Sequence, residues 1–246
     1  MTAPIEAWPD RLEAVAATTR RFDRVCVVRE TGSALDAARR FDAGPGTIVS
    51  AWRQTAGRGR LGRAWADTAG HGVAIVLVVA PTAPERLAIA TAVGVAEALD
   101  RQAPGTVGIK WPNDLVVDER KIGGILVEQD AARALVGIGI NVGQETWPED
   151  LAARAVSLRQ VGVCVDRLDV QADVIRAVDA ALDRPLADLA AAFDDRNVLR
   201  DRDVTIGAGG RTVTGRLVRW CPTEGLIVRT SEGTVAMPAA TSTVVG

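Results

Sequence analysis

Four arginines, Arg53, Arg58, Arg60 and Arg63, crowd the stretch RQTAGRGRLGRAW from Arg53 to Trp65, and no acid occurs between Asp42 and Asp67. Gly57, Gly59 and Gly62 let the backbone there come close to a ligand and take conformations closed to other residues. Such a loop wants an anion. Several guanidinium forks can fold around a polyphosphate or a developing acyl phosphate with bidentate hydrogen bonds that an ammonium cannot copy.

Two familiar phosphate motifs fail on context. Gly57-x-Gly59-x-x-Gly62 matches the dinucleotide fingerprint in form, but the chain runs on into a strand instead of opening a helix, and no acid ends the next strand to hold a ribose. No Gly-Lys-Ser/Thr follows for a P-loop. The bland alternative is a solvated basic loop, which Trp52 and Trp65 on its flanks would suit to RNA phosphates and bases.

Three further stretches carry polar chemistry inside apolar surroundings. In Lys110-Trp111-Pro112-Asn113-Asp114, turn chemistry explains the last three residues, but not a cation between Ile109 and Trp111. Burying a lysine alone is costly, so it needs a carboxylate, either that of Asp114 or a substrate's. Trp111 itself suits a core aromatic. In KIGGILVE (Lys121 to Glu128) and GIGINV (Gly137 to Val142), glycines interrupt otherwise apolar strands, marking a bulge or a close approach. Side by side, the two strands would form a flat, sunken floor on which a small ring could lie.

The elements that must hold these loops follow from periodicity. Residues 8 to 22 read as a helix with Leu12, Val15 and Ala16 inward, followed by a strand from Val25 to Val28. Asp36 to Phe41 reads as a helix, Thr47 to Ala51 and Val73 to Val79 as strands, and Pro84 to Arg101 as a helix. Val107–Lys110, Leu115–Val117, Ile122–Glu128 and Leu135–Val142 form an antiparallel meander. Asp169–Leu182 and Leu186–Phe193 are helical around Pro185, and Asp203–Gly246 holds five short β-rich runs punctuated by glycine. A second domain should begin near Asn197, giving a catalytic unit over residues 1–196 and a small all-β unit over 197–246.

Composition sets the outer limits. The 246 residues (25.9 kDa) are 48% hydrophobic and 24% charged, ordinary globular usage with room for a full core. With 29 Lys+Arg against 31 Asp+Glu the net charge is -2, so any basic site is local. Cys26, Cys164, Cys221 and the lone His71 can assemble neither a disulfide framework nor a zinc cluster. Early acids, Glu6 and Asp10, and apolar runs no longer than Val73–Ala80 point to a soluble, cytoplasmic protein with no membrane partner.

GRGRLGRAW, KWPNDLVV, KIGGILVE and GIGINV, in this order and at these intervals, resemble the biotin protein ligases, and the likeness runs from about Val25 to the end. The resemblance implies an α+β fold: a mixed, mostly antiparallel sheet with helices on one side, of the class II synthetase type, followed by a small SH3-like barrel. It implies an enzyme that joins biotin and ATP, with magnesium, into biotinyl-5′-adenylate and then transfers biotin to one lysine of a biotin carboxyl carrier domain. Arg58, Arg60 and Lys110 would act on the reacting groups, with Arg63 on the phosphates. Ser33 and Gln54 would bond the ureido ring, and Gly57, Gly59, Gly123, Gly124 and Gly139 would line biotin. Trp65 would support adenine, with Asn113, Asp114 and Asn141 towards the nucleotide, and no residues set aside to ligate a metal.

One triplet departs from the pattern: Ser33-Ala34-Leu35 stands where the family usually shows Ser-Thr-Asn, an expected loss of about 0.5–1.5 kcal/mol of biotin binding. The rival enzyme is a lipoate or octanoate ligase. A biotin-responsive DNA repressor is disfavoured because roughly thirty residues before the first core strand leave no room for a winged-helix or helix-turn-helix module. The remaining alternative is the RNA-binding module. The expected protein binds no DNA and is a monomer or homodimer.

Overall fold

The computed structural model describes residues 3–66, 70–102, 107–221, 224–238 and 241–244. In chain order the elements are α1 (Trp8–Ala16), β1 (Arg24–Thr31), α2 (Ala34–Arg40), β2 (Thr47–Gln54), β3 (Gly57–Arg58), β4 (Ala64–Trp65), β5 (Gly72–Val79), α3 (Pro84–Gln102), β6 (Gly108–Lys110), β7 (Asp114–Val117), β8 (Arg120–Gln129) and β9 (Ala134–Asn141). There follow α4 (Glu149–Ala152), α5 (Arg167–Leu182), α6 (Leu186–Arg196), β10 (Asp203–Ala208), β11 (Arg211–Cys221), β12 (Gly225–Thr230), β13 (Gly233–Met237) and β14 (Thr243–Val244).

Seven strands form the main sheet in the order β1-β2-β5-β9-β8-β7-β6. Only β1 and β2 run parallel, because α2 carries the chain back between them; every other pair is antiparallel. Alternation then sorts the side chains. Val73, Ile75, Leu77 and Val79 of β5 join Val136, Ile138 and Ile140 of β9 in a core covered by α1, α3, α5 and α6. Ala74, Val76 and Val78 face the other way, into a smaller cluster under α2. The long helices thus share one side, and short α2 leaves most of the other side free for a site. No described helix is long and apolar enough to cross a membrane.

Where α3 crosses α5 the backbones nearly touch: a Cβ on Gly94 would lie 2.9 Å from both the Ala177 carbonyl oxygen and the Val178 Cα. The first helix is shorter than its periodicity predicts. Thr18 and Thr19 turn their hydroxyls back to the carbonyls of Val15 and Ala16, satisfying the chain end locally and stopping α1 at Ala16. Arg20 and Arg21 then reach Asp179 and Asp183 at the end of α5.

Strands β13-β12-β11-β10-β14 make a second, wholly antiparallel sheet. Its Trp220 packs 5.7 Å from Phe193 of α6, which meets Trp111 edge-on at 6.0 Å. Trp111 is buried and donates from Nε1 to the Ser242 carbonyl, at 3.4 Å, as befits a core aromatic. The last two residues of the terminal β-rich stretch, 245 and 246, lie outside the described residues.

Gly94→Ala should destabilise the fold by about 1–3 kcal/mol through overpacking at the α3–α5 crossing, although helix propensity alone would favour alanine by about 1 kcal/mol; urea unfolding gives the sign. Asp183 offers a pH test, since the hydrogen bond from Arg21 holds its carboxyl below the usual carboxylate range. A depressed folded value stabilises above the unfolded one and is lost as pH falls through it. Asp183→Asn should therefore lower the unfolding midpoint at neutral pH, and the gap to wild type should close in acid.

Candidate active site

The free side of the sheet has a patch of bare backbone beside the cluster under α2. Gly124 of β8 pairs with Gly139 of β9, and Gly137 and Gly139 sit opposite Val76 and Ala74 of β5. With no side chains rising from the three glycines, a cavity of about 530 Å³ opens above them. Its walls come from α2, the stretch after β2, the β6–β7 turn and, at one edge, Thr243 and Val244 of the second sheet.

The arginine loop is an ordered flap. Gly57 and Arg58 pair with Trp65 and Ala64 in a two-stranded hairpin, and Gly59 donates to the Arg63 carbonyl at 2.7 Å. Residues 60–62 make one tight turn, which Gly62 permits by taking a φ of 73°. The hairpin lays Trp65 on the floor: a Cβ on Gly139 would come within 2.6 Å of the indole Cε2, and one on Gly124 within 3.3 Å of Cζ3. In this structure, therefore, the close approach signalled by the glycines is made by a side chain of the same molecule. Lys121 completes the stack, its Nζ 5.5 Å from the Trp65 ring centroid and 2.6 Å from Asp114 Oδ1.

The cations are in different states. Arg58 bonds Asp36 at 2.7 Å and lies 3.8 Å from Glu128. Arg60 is half-buried, and its side chain makes no ion pair or hydrogen bond among the described residues. Burial pushes its guanidinium below the ordinary range, against an opposing pull from Asp114. The Lys110 side chain also lines the cavity without a hydrogen-bonded or ion-paired partner among those residues. Of the two partners expected for Lys110, Asp114 stands opposite it in the β6–β7 register but is taken by Lys121, which pairs with Val116 two residues on and reaches back over Gly124.

At the α2 end, Ser33 caps the helix, its Oγ accepting from the Leu35 N–H at 3.2 Å. Gln54, at the end of β2, accepts the Ala34 N–H on Oε1 at 2.7 Å, which fixes the orientation of its amide. Asn113 donates to the Ile125 carbonyl at 2.8 Å and holds the β6–β7 turn against β8.

The structure gathers Ser33, Gln54, Arg58, Gly59, Arg60, Arg63, Trp65, Lys110, Asn113, Asp114, Gly124 and Gly139 around one cavity. Three sequence candidates lie outside that lining. Gly57 serves the hairpin, its missing Cβ making room for the Trp65 carbonyl at 2.6 Å. Gly123 faces the core, where a Cβ would meet Leu115 Cδ1 at 3.2 Å, since neighbours on a strand point to opposite faces. Asn141 is buried and donates to the carbonyls of Lys121 and Val156 at 3.1 and 3.0 Å, tying the segment after α4 to the sheet. Lys121 is the residue that sequence reasoning passed over. The signal was present, since it is a cation heading an apolar strand, as Lys110 is a cation ending one. Among the described residues no group of three or more His, Cys, Asp or Glu gathers to hold a metal.

Residues 25–145 match the model of the Biotin/lipoate A/B protein ligase family. The bifunctional ligase/repressor BirA of Salmonella typhimurium is 30% identical over 165 residues, 63% of this chain and 51% of that protein. The biotin--[acetyl-CoA-carboxylase] ligase of Mycobacterium tuberculosis is 32% identical over 123 residues, 46% of this chain and 43% of that one. The chain thus spans about half the length of the curated relatives it matches. Among solved structures, a biotin protein ligase from Aquifex aeolicus in complex with biotin and ATP superposes with a TM-score of 0.85 at 27% identity, covering 91% of this chain and 99% of that one.

Gly139→Ala places a methyl where the Trp65 indole lies. The ring should leave the floor in a crystal structure of the variant, and urea unfolding should show a loss of about 1–3 kcal/mol.

Proposed function

We propose that this chain, whose residues 25–145 form a domain of the Biotin/lipoate A/B protein ligase family, activates biotin with ATP and passes it to one lysine of a biotin carboxyl carrier domain. The observation that carries the reading is that Arg60 and Lys110, two cations whose side chains have no bonded carboxylate among the described residues, line one cavity over a glycine floor on which Trp65 rests.

The chemistry asks for that pairing. A carboxylate oxygen of biotin attacks the α-phosphorus of ATP, forming the acyl phosphate bond as the bond to pyrophosphate breaks. Anion approaches anion, so fixed cations that meet the developing charge lower the barrier. Arg60, Arg58 and Arg63 would hold the phosphates, with Lys110 and Lys121 on the carboxylate and phosphoryl oxygens. The carrier lysine, as its free amine, then attacks the acyl carbon, forming an amide and releasing AMP. Magnesium enters with ATP as part of the substrate, because the described carboxylates offer it no cage of their own.

Recognition follows the walls. Ser33 and Gln54 suit the ureido group, and a flat ring system would meet the Trp65 indole that covers the Gly124–Gly139 floor. Trp65, Asn113 and Asp114 lie on the nucleotide side. The reading places the enzyme in the cytoplasm with a carboxylase carrier domain as its partner, and treats residues 1–196 as the catalytic unit and 197–246 as the terminal one.

Incubating the protein with MgATP, biotin and an apo carrier domain should yield a biotinylated lysine by mass spectrometry, and biotin should drive exchange of pyrophosphate into ATP. Exchange driven by lipoate or octanoate and not by biotin would transfer the reading to the rival acid. Arg60→Ala should slow adenylate formation by about 10²–10³-fold with little change in unfolding midpoint, as its guanidinium holds no ion pair among the described residues.

A further inference from the structure

Arg167, the first residue of α5, is 1% exposed and lies outside the cavity lining, so no step of the proposed chemistry uses it. Its surroundings point to the flap. The guanidinium Cζ lies 4.0 Å from the ring centroid of Trp52 and 4.7 Å from that of Trp8. One nitrogen, Nη1, donates to the Trp52 carbonyl at 2.7 Å and to the Gly72 carbonyl at 3.2 Å. Trp52 is the last residue before the arginine loop, and Gly72 is the first of the strand that follows it.

The two stems need such a bridge. Strands β2 and β5 pair at Ile48–Leu77, Val49–Val76 and Ser50–Ile75, and the ladder stops there. Beyond Ser50 the strands part to let the flap out, and their carbonyls lose the partners a continuing ladder would supply. Arg167 spans the opening at that level. Gly70, with a φ of 70°, brings the returning chain against the same group: a Cβ there would stand 3.3 Å from the Trp52 carbonyl oxygen and 3.5 Å from Arg167 Nη1.

We propose that Arg167 is a positioning residue for the cationic flap, a buried strut that fixes both stems so that Arg58, Arg60 and Arg63 reach the cavity in one register. The proposal rests on the ligase reading for its catalytic consequence, though not for its structural one. If covering the two packed indoles were the whole task, an apolar side chain would do it without stripping a guanidinium of water. A planar fork can lie against two indoles that themselves pack at 4.9 Å and still donate in its plane to two oxygens on different strands, whereas an ammonium cannot do both. Misplacing the flap by a fraction of its reach would spoil alignment in the transition state more than it spoils biotin binding.

Two measurements on Arg167→Lys and Arg167→Met test this. In the ligand-free protein, amides of residues 53–66 should exchange about tenfold faster with deuterium, while those of β8 and β9 keep their protection. Adenylate formation should lose about tenfold in kcat with KM for biotin within about twofold of wild type. Unchanged flap exchange in both variants would overturn the proposal, as would protection lost across β8 and β9 together with the flap, which would make Arg167 a general core residue. If both variants fail to fold, Trp52→Leu decides: it keeps the arginine and both carbonyls but removes the closer indole, and unchanged flap exchange there refutes the strut. Should the wild type form no adenylate with any acid, the ligase reading falls and the exchange result still judges Arg167.

Discussion

Because successive residues of a strand point to opposite faces, β5, β8 and β9 can give α3 and α5 an apolar layer on one side while leaving bare backbone on the other. Ile75, Ile125 and Ile138 build the first; Ala74, Gly124 and Gly139 leave the second. The two faces are coupled, since a side chain gained on the cavity face costs room for Trp65 while one lost on the helix face opens a void. Burying each isoleucine is worth about 1.5–3 kcal/mol, so the strands tolerate glycines, each costing roughly 0.5–1 kcal/mol, on the other face. The site is affordable to this fold because the same sheet is so well covered behind it.

Charge is distributed with a similar asymmetry. Arg58 is held at the rim by Asp36, an exposed pair worth about 0–1 kcal/mol, so the flap can exchange this contact for a ligand phosphate at little cost. Arg60 is half-desolvated and without a bonded partner among the described residues, so an incoming anion meets a guanidinium already stripped of part of its water. Between them, Lys121 is neutralised by Asp114 and rests against Trp65. Among the described residues, an anion arriving beneath the flap would therefore meet one exposed arginine pair and one unpaired guanidinium, with no buried ion pair to break.

The order of elements was legible because it rests on short-range signals: the meander from Val107 to Val142, the interruption at Pro185 and the glycine-punctuated end all stand where periodicity and turn chemistry put them. Helix α1 ends early because threonine hydroxyls compete with the helical ladder, which periodicity cannot register. The site was legible as a set of residue types and less so as a surface. Gly123 and Gly124 read alike in sequence, and only register against Gly139 and Ile140 separates the one in the cavity from the one in the core. Asn141 reads as a ligand-facing amide, yet it serves two backbone carbonyls. Arg167 was invisible, because nothing local says that a lone arginine opening a helix is buried against two tryptophans 115 and more residues away.

The departure at Ser33-Ala34-Leu35 looks different once the neighbours are in place. Read as a sequence, it removes a hydroxyl and an amide from the ureido end of the site. In the structure, Ser33 keeps its capping hydroxyl and Ala34 contributes a backbone N–H that orients Gln54. Leu35 turns into the cluster of Ala74, Val76 and Leu135, and a Cβ on Gly137 would stand 3.3 Å from its Cδ1. An asparagine in that cluster would need partners for its amide or pay about 1–3 kcal/mol for lacking them, whereas leucine gains about 1.5–3 kcal/mol by burial. The polar groups left at this end of the cavity are thus those of Ser33 and Gln54, and the triplet firms the packing of α2. That exchange preserves the site's shape, because Gly137 and Leu35 fit each other, and so the substitution reads as one adjustment of wall and floor together.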